Sequence, residues 1–194
     1  MESNFFAMIS RMKFIERWAL MRNSRQENIS EHSLEVSILG HALAVISNER
    51  LGNKLNAEKV ALIGIFHDAT EIITGDMPTP IKYFNQKIQG AFKEVELAAA
   101  DRLLKLLPED LRVYYEDSFL PREEDVFLWK LVKAADKLSA LIKCIEERKA
   151  GNTEFTSAEQ SILEQLKAME LKEVDIFMKE FLPAYDKTLD GLNR

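Results

Sequence analysis

Apolar residues recur at helical spacing along most of the chain, and polar segments separate the runs. The first run predicts a helix over residues 5–16, and the polar, irregular segment 18–29 predicts a loop. A second helix is predicted from Ser30, a suitable N-cap, to about Arg50, where the Gly52-Asn53 pair ends it. The apolar positions that define these two helices are Phe5, Met8, Ile9, Met12 and Ile15 in the first, and Leu34, Ile38, Leu39, Leu43 and Ile46 in the second.

The rest of the chain shows the same period, interrupted by proline and glycine. The turn-rich segment Thr74–Pro80 cannot continue a helix, and Pro108 breaks another one. With 194 residues, no internal repeat and no linker, the pattern predicts one all-α domain spanning residues 1–194. The further predicted helices run from Asn56 to about Ile72, from Gln86 to Leu107, from Glu109 as a short segment, from Pro121 to about Ala150, from about Ser157 and from about Leu171.

Charge and composition exclude several classes of function. The formal net charge is −6, so the chain lacks the basic face with which nucleic-acid-binding proteins neutralise phosphates. The longest apolar runs, such as residues 60–66, are far too short to cross a membrane. A single cysteine, Cys144, excludes an intrachain disulfide and, with no visible signal peptide, indicates a cytoplasmic protein. A small phosphorylated substrate is compatible with this charge, because it needs only one or two placed cations and a metal.

Few residues of the chain are suited to chemistry. His67 and Asp68 are adjacent at the end of a strongly apolar helix, where an unpaired carboxylate is costly to bury. Asp136 lies in a stretch with alanine and leucine on either side. A lone histidine or aspartate in a helix is usually structural, but a metal ion would compensate both buried carboxylates at once. The combination therefore favours a metal site.

Helix geometry and ligand chemistry constrain such a site. Adjacent helix residues diverge by roughly 100°, so His67 and Asp68 can share a metal only if it lies close against their helix. Glu71 projects from the same side and could reach a metal-bound water without being a ligand. Imidazoles and carboxylates without thiolates suit Mn, Co, Fe, Mg or Zn rather than Cu(I). His41 lies nine residues after His32, too far along the helix axis to share one metal, and is interpreted as structural.

Longer strings of residues are more specific than the His-Asp pair alone. They are Arg17-Trp18, Arg22-Asn23, Glu27 to Ser33, His67 to Pro80, Lys82 to Asn85, Lys133 to Asp136 and Gly151-Asn152. Together they resemble the HD-domain phosphohydrolases and, within them, the bacterial 5′-deoxynucleotidases. The resemblance covers essentially the whole chain.

This resemblance implies an HD-domain helical bundle that acts as a homodimeric enzyme. The implied reaction removes phosphate from 2′-deoxyribonucleoside 5′-monophosphates, discriminates against ribonucleotides and uses a divalent metal, typically cobalt or manganese. The implied metal ligands are His32, His67, Asp68 and Asp136. The implied substrate contacts are Arg17, Trp18, the loop of Asp76, Met77, Pro78 and Thr79, and the ligands His32, Asp68 and Asp136.

Several of these residues suit a role by their own chemistry. The Arg17 guanidinium is a permanently charged fork that fits phosphate oxygens. Glu71 is placed to orient or deprotonate a water on the metal, and Asp76 could protonate the departing 5′ oxygen. Trp18 offers a flat apolar wall beside the sugar, where an extra 2′-hydroxyl would clash and stay unpaired. Arg17 and Trp18 are predicted at the end of the first helix.

Two other interpretations stay open at this point. Another HD-type hydrolase, acting on nucleoside triphosphates or guanosine alarmones, would release pyrophosphate or tripolyphosphate. A catalytically silent helical sensor would share the fold, although the four implied ligands and Glu71 are all present. The only sequence support for a dimer comes from apolar C-terminal residues that suit a core equally well: Ile176, Phe177, Phe181 and Leu182.

Overall fold

The computed structural model describes residues 2–82 and 84–193, apart from the side chain of Thr79. Within that part the chain forms α-helices, short 3₁₀ helices and one isolated antiparallel bridge between Glu16 and Asn28. The predicted all-α fold is confirmed. The α-helices are α1 (Phe5–Ile9), α2 (Ile29–Leu51), α3 (Ala57–Phe66), α4 (Glu71–Thr74), α5 (Thr79–Lys82), α6 (Gln86–Leu104), α7 (Glu109–Arg112), α8 (Glu116–Phe119), α9 (Val126–Lys149), α10 (Thr156–Ala168), α11 (Lys172–Glu180) and α12 (Leu189–Leu192), and the 3₁₀ helices are Ser10–Phe14, Glu123–Asp125, Thr153–Phe155 and Leu182–Asp186.

Helix α2 begins earlier than predicted. Ser30 is not its N-cap, because the Asn28 side chain accepts hydrogen bonds from the backbone N–H groups of Ser30 and Glu31 and so caps the helix itself. The predicted C-terminal stop is correct. Gly52 adopts a left-handed conformation with φ 77°, which glycine tolerates without a steric penalty.

The predicted apolar face of α2 is partly wrong. Leu39, Leu43 and Ile46 are buried, but Leu34 and Ile38 are each 61% exposed. The side of α2 that faces the interior near its N-terminus instead carries small and polar residues, which allow the neighbouring helices to approach closely. They are His32, Ser33, Ser37 and Gly40.

Two glycines set the distance between α2 and α3. A Cβ built on Gly64 of α3 would lie 2.8 Å from the Cα of Ser37 in α2, closer than real Cβ contacts allow. A Cβ on Gly40 of α2 would meet Val60 of α3 at 3.1 Å and Ala135 of α9 at 3.7 Å. Because the contacts pair 37 with 64 and 40 with 60, the two helices run antiparallel, and the start of α2 lies beside the end of α3.

Several helix limits near the candidate site differ from the prediction. The first helix gives way to a 3₁₀ helix that ends at Phe14, so Arg17 and Trp18 lie in a loop and not at a helix end. Helix α3 ends at Phe66, and a turn over 67–70 separates it from α4. Pro80 lies in the first turn of α5, where its missing N–H has no helical partner to lose, so the loop is shorter than predicted.

The remaining limits mostly follow local signals. Helix α9 begins at Val126 and not at Pro121, because the Glu123–Asp125 3₁₀ helix intervenes, and α6 stops at Leu104 rather than Leu107. Helix α3 begins next to its predicted start, because the Asn56 side chain caps it by accepting a hydrogen bond from the backbone N–H of Lys59. The short helix from Glu109 and the two C-terminal helices begin within about one residue of their predicted starts.

The buried residues form two clusters. The larger one joins α2, α3 and α9 to α10 and α11, and the smaller one packs Phe5 of α1 against Phe66, Leu103 and Phe119. In the part of the chain that the structure describes, no helix combines the length and the apolar character needed to cross a membrane.

A buried ion pair on α9 anchors the loop that carries Arg17 and Trp18. Lys143 donates to Glu147 and to the backbone carbonyl of Arg25, and Glu147 accepts from the backbone N–H groups of Ser24 and Arg25. Burial opposes ionisation of Glu147, but these partners and Asn152 outweigh it and lower its pKa to about 2. The charged carboxylate therefore holds residues 24–25 against α9.

Replacement of Gly64 by alanine is expected to force α2 and α3 apart. The new Cβ would collide with backbone atoms, which cannot rotate away, so the free energy of unfolding should fall by about 1–3 kcal/mol. Gly90→Ala in α6 is the control, because a Cβ there meets nothing within 4 Å and alanine favours a helix by up to about 1 kcal/mol. Urea unfolding followed by circular dichroism measures both. Equal stabilities for the two variants would contradict the close approach.

Candidate metal centre and active site

The packing of α2, α3 and α9 brings four side chains to one place. His32 lies in the first turn of α2, and His67 and Asp68 follow the last residue of α3 in the turn that precedes α4. Asp136 lies in the middle of α9, one residue after the Ala135 that packs on Gly40. Helix α2, the turn after α3 and helix α9 thus supply the candidate ligands.

The donor atoms of these side chains converge. His32 Nε2 lies 3.1 Å from Asp136 Oδ1 and 3.4 Å from Asp68 Oδ2, and His67 Nε2 lies 3.1 Å from the same Asp68 oxygen. Single ligand atoms of His32, His67 and Asp68 all lie within 4.8 Å of one another. Atoms that share a metal ion at about 2.0–2.2 Å are separated by at most roughly 4.4 Å, so these three side chains could hold one after shifts of a few tenths of an ångström.

Hydrogen bonds on the far side of each imidazole fix its orientation. His67 Nδ1 lies 2.8 Å from the carbonyl oxygen of Gly64, to which it donates. His32 Nδ1 lies 3.0 Å from Ser139 Oγ, whose only proton is donated to Glu35, so the hydroxyl accepts from the ring. With Nδ1 protonated in both rings, Nε2 is left with a lone pair.

The two Nε2 atoms are the evidence that a metal fits. Both are buried, and among the described residues neither has a hydrogen-bond partner, although carboxylate oxygens lie close to them. Buried polar atoms without partners are costly, and these two, which both lie close to Asp68, are satisfied together by one cation. The donor set of imidazole nitrogen and carboxylate oxygen suits a divalent transition metal.

The pKa values of the acidic residues also indicate that a cation fits this site. Burial alone would raise the pKa of Asp68 and of Asp136, yet the histidines beside them lower the pKa of Asp68 well below its usual range and that of Asp136 to about 2. Conversely, burial opposes a charged His67, but Asp68 outweighs it and raises its pKa. Both carboxyl groups thus favour the ionised form, which a bound cation would stabilise further.

Two further carboxyl groups lie beside this cluster. Glu71, in the first turn of α4, is 8% exposed, and its Oε2 has no hydrogen-bond partner among the described residues. Burial, together with the charges of Asp68 and Asp76, raises its pKa to about 10. Burial also raises the pKa of Asp76, against the opposing effect of Arg17. Glu71 can therefore carry a proton near neutral pH, and Asp76 holds a proton more readily than an ordinary aspartate.

Arg17 and Trp18 lie beside this cluster and line the same cavity. Arg17 donates from Nη1 to Glu27, and its Nη2 lies 3.9 Å from Asp136 Oδ1. Burial would lower the pKa of Arg17, but the surrounding carboxylates raise it, so the guanidinium stays charged. The Trp18 indole packs on Phe155, with 5.2 Å between ring centroids.

These residues line a cavity of about 580 Å³, which is within the range of small-molecule sites. His32 and His67 lie behind the carboxylates and do not line it. His41 is exposed on α2, away from the cavity. The side chain of Thr79 and all of Tyr83, which belong to the motifs above, lie outside the described residues. The sequence-predicted residues that line the cavity are Arg17, Trp18, Asp68, Glu71, Asp76, Met77, Pro78 and Asp136.

Sequence reasoning missed part of the lining. Lys137 of α9 donates to Gln165 of α10, and both line the cavity with Lys82, Ser161 and Ile162. Lys137 could have been noticed because it directly follows Asp136. Nothing local marks the α10 residues, since only the packing of α10 on α9 brings them to the site.

Comparison with known proteins identifies the family. A family model described as 5′-deoxynucleotidase YfbR-like matches residues 4–185. A 5′-deoxynucleotidase of Pectobacterium atrosepticum is 46% identical over 197 residues, covering 100% of this chain and 97% of that protein. The chain belongs to the YfbR-like 5′-deoxynucleotidase family. Its membership confirms the resemblance inferred from the motifs and makes the chain a hydrolase.

Solved structures confirm the HD-domain fold of this family member. The crystal structure of an HD-domain phosphohydrolase from Listeria innocua superposes with a TM-score of 0.81 at 22% identity, covering 98% of this chain and 91% of that one. An HD phosphohydrolase of cyanophage S-2L, bound to dA and one catalytic Zn²⁺ ion, gives a TM-score of 0.64 at 21% identity and covers 94% and 96% of the two chains.

Replacement of His67 by alanine is expected to weaken metal binding by more than about 100-fold, because a lost ligand costs more than the 10–100-fold typical of a group that only supports one. Isothermal titration with Mn²⁺ or Zn²⁺ measures it, after the protein is stripped with chelator. His41→Ala is the control, since it removes an exposed imidazole from the same domain. Equal affinities for both variants would exclude His67 as a ligand.

Proposed function

We propose that this chain is a metal-dependent phosphomonoesterase that hydrolyses 2′-deoxyribonucleoside 5′-monophosphates to deoxyribonucleoside and phosphate, and that it discriminates against ribonucleotides. The observation that carries the proposal is the convergence of two imidazoles and two carboxylates at a cavity that Arg17 also lines. Similarity to 5′-deoxynucleotidases over the whole chain supports the substrate class.

In this proposal His32, His67, Asp68 and Asp136 hold the divalent ion. Cobalt or manganese is our first expectation, and magnesium, iron and zinc suit the same donors. The catalytic Zn²⁺ of the cyanophage neighbour supports a divalent metal in this fold. When bound, the ion would polarise a phosphoryl oxygen and activate the attacking water.

Arg17 would bind the phosphate from the side opposite the ion. It is surrounded by Glu27, Asp136, Asp68 and Asp76, so the site is strongly acidic without a metal. A phosphate dianion entering such a site is repelled unless a divalent cation offsets the carboxylates. Phosphate binding should therefore depend on metal and on Arg17 together.

Glu71 and Asp76 would each perform one proton transfer, Glu71 with the attacking water and Asp76 with the departing 5′ oxygen. Glu71 lies three residues after Asp68 and lines the cavity, so it is placed to orient the attacking water and accept its proton. A cation beside it would offset the raised pKa that burial and the neighbouring carboxylates give it. Asp76 lies beside Arg17, and its raised pKa favours holding the proton that the departing 5′ oxygen needs.

The sugar would lie against Trp18. Arg17 and Trp18 are consecutive, and the guanidinium carbon lies 5.6 Å from the centre of the indole ring. If Arg17 binds the phosphate, the 2′ face of the sugar comes within reach of the indole, whose single donor, Nε1, is already bonded to Glu27. A ribose 2′-hydroxyl would then be desolvated without compensation, and this disfavours ribonucleotides.

We also propose that the enzyme works in the cytoplasm as a homodimer. Of the C-terminal apolar residues, Phe177 is only 5% exposed and belongs to the core, so it does not form an interface. A larger exposed apolar surface lies on α2 and α3, where Leu34, Ile38, Leu62 and Ile65 are 40–61% exposed. Light scattering at micromolar concentration should give the mass of two chains, and a monomeric mass would exclude this part of the proposal.

The function is tested by phosphate release from matched deoxyribo- and ribonucleoside 5′-monophosphates with several divalent metals. We expect inorganic phosphate from dAMP and its relatives, slower release from AMP, and no turnover after chelation. Release of pyrophosphate or tripolyphosphate from triphosphates, with no activity on monophosphates, would contradict the proposal.

Two substitutions separate the phosphate contact from the sugar wall. Trp18→Ala should narrow the difference between dAMP and AMP, because removing a wall relaxes exclusion. Arg17→Ala should instead slow both substrates by roughly one to two orders of magnitude, since a charged hydrogen bond contributes about 1.5–3 kcal/mol.

The control for the charge change is Arg22→Ala, because the Arg22 side chain is 87% exposed. The measurement is kcat/KM for dAMP and AMP with each variant. If Trp18→Ala leaves the ratio of kcat/KM for dAMP to that for AMP unchanged, Trp18 does not set the selectivity. If Arg17→Ala keeps full activity, Arg17 does not bind the phosphate.

A further inference from the structure

Trp18 has an unusual backbone for the residue that forms a wall of the site. Its φ is 60°, in the left-handed region that residues other than glycine rarely adopt. Such a conformation persists only where the surroundings hold it, and it often occurs at functional sites. The holding contacts here come from the end of the same loop: the backbone N–H of Arg17 donates to the carbonyl of Glu27, and Glu16 pairs with Asn28.

The Glu27 side chain makes a second set of contacts to the same two residues. Its Oε2 accepts from Arg17 Nη1 and also from the Trp18 indole Nε1, at 3.1 Å. Its side chain is 14% exposed and does not line the cavity, so it does not meet the substrate. One carboxylate oxygen therefore joins the two side chains assigned above to the phosphate and to the sugar.

We propose that Glu27 is a positioning residue that sets the selectivity for deoxyribose. The inference rests on the proposed function. By accepting from both groups, Glu27 fixes the separation between the guanidinium and the indole, and so fixes where the sugar of a bound nucleotide lies against Trp18. The alternative would be two independent side chains, each free to adjust to a ribose.

Electrostatics explain why an acid is suited to this position. Without Glu27 the nearest carboxylate to the guanidinium is Asp136, which Arg17 Nη2 already approaches to 3.9 Å. A freed Arg17 would turn toward this candidate metal ligand and compete for its charge. The Glu27 carboxylate holds Nη1 on the opposite side and leaves Nη2 on the Asp136 side, beside the cavity.

The backbone of Trp18 extends the arrangement to a third functional group. Its N–H lowers the pKa of the Asp76 carboxyl, against the larger effect of burial, so the two groups are close. A shift of residues 17–18 would thus move the proposed acid as well as the phosphate contact and the sugar wall. Glu27 is the side chain that joins this dipeptide to the far end of its loop.

The test uses Glu27→Ala and Glu27→Gln in a Trp129→Phe background, so that Trp18 is the only tryptophan. The first readout is the indole N–H resonance of Trp18 and its rate of hydrogen exchange, which require no turnover. The second is kcat and KM for dAMP and AMP. Glu49→Ala, an exposed acid on α2, is the control for loss of one negative charge.

We expect Glu27→Ala to shift the indole resonance, to accelerate its exchange, and to lower the dAMP to AMP preference by about 10-fold, with the larger change in KM for dAMP. Glu27→Gln keeps an oxygen that accepts from the indole and should recover part of the preference. Glu49→Ala should match the parent. If Glu27→Ala does not fold, Glu27→Gln tests the proposal by its change in KM for dAMP and by its shift of the Trp18 indole N–H resonance.

An indole resonance and a dAMP to AMP ratio that both stay at the parent values in a folded Glu27 variant would overturn the proposal. A loss of kcat on both substrates with the ratio unchanged would also overturn it. Failure of the proposed function is distinguishable, because it shows in the parent enzyme as absent hydrolysis of dAMP or absent preference over AMP, before any Glu27 variant is made.

Discussion

The structure depends on the close antiparallel approach of α2 and α3. Gly64 lies against the backbone of Ser37, and Gly40 accommodates Val60 from one side and Ala135 of α9 from the other. Because side chains larger than hydrogen would separate these helices, the glycines bring the rings of His32 and His67 to 5.3 Å between centroids. The metal centre is thus a consequence of helix packing, which also holds the short turn that carries His67 and Asp68.

The same packing leaves buried negative charge and unpartnered imidazole nitrogens, which a bound divalent ion would satisfy. Asp68 and Asp136 are held ionised, while the imidazole Nε2 atoms that face them lack hydrogen-bond partners within residues 2–82 and 84–193. A divalent ion resolves both conditions, and Arg17 adds the charge that recognises phosphate. The loop with Arg17 and Trp18 is positioned separately, by the Lys143–Glu147 pair on α9 and by Glu27. The metal ligands are therefore held by helix packing, whereas Arg17 and Trp18 are held by contacts of their own loop.

Local signals in the sequence predicted much of the fold. Asn56, Gly52 and Gly151 mark helix ends because capping and left-handed φ depend on neighbouring residues alone. Periodicity misassigned Leu34 and Ile38, since it identifies an apolar stripe without showing that the buried face of α2 includes small and polar residues near its N-terminus. The candidate site was found through the family motifs. The supports contributed by Ser139 and Glu147 required knowledge of pairs more than 100 residues apart.

The central claim is that the packing of α2, α3 and α9 forms one metal site. Anomalous X-ray diffraction from crystals grown with Mn²⁺ tests it most directly, because the ion is located without reference to activity. The account predicts one anomalous peak within about 2.5 Å of donor atoms from His32, His67, Asp68 and Asp136. A fully occupied ion elsewhere, or a peak here that one of these four side chains does not contact, would contradict it.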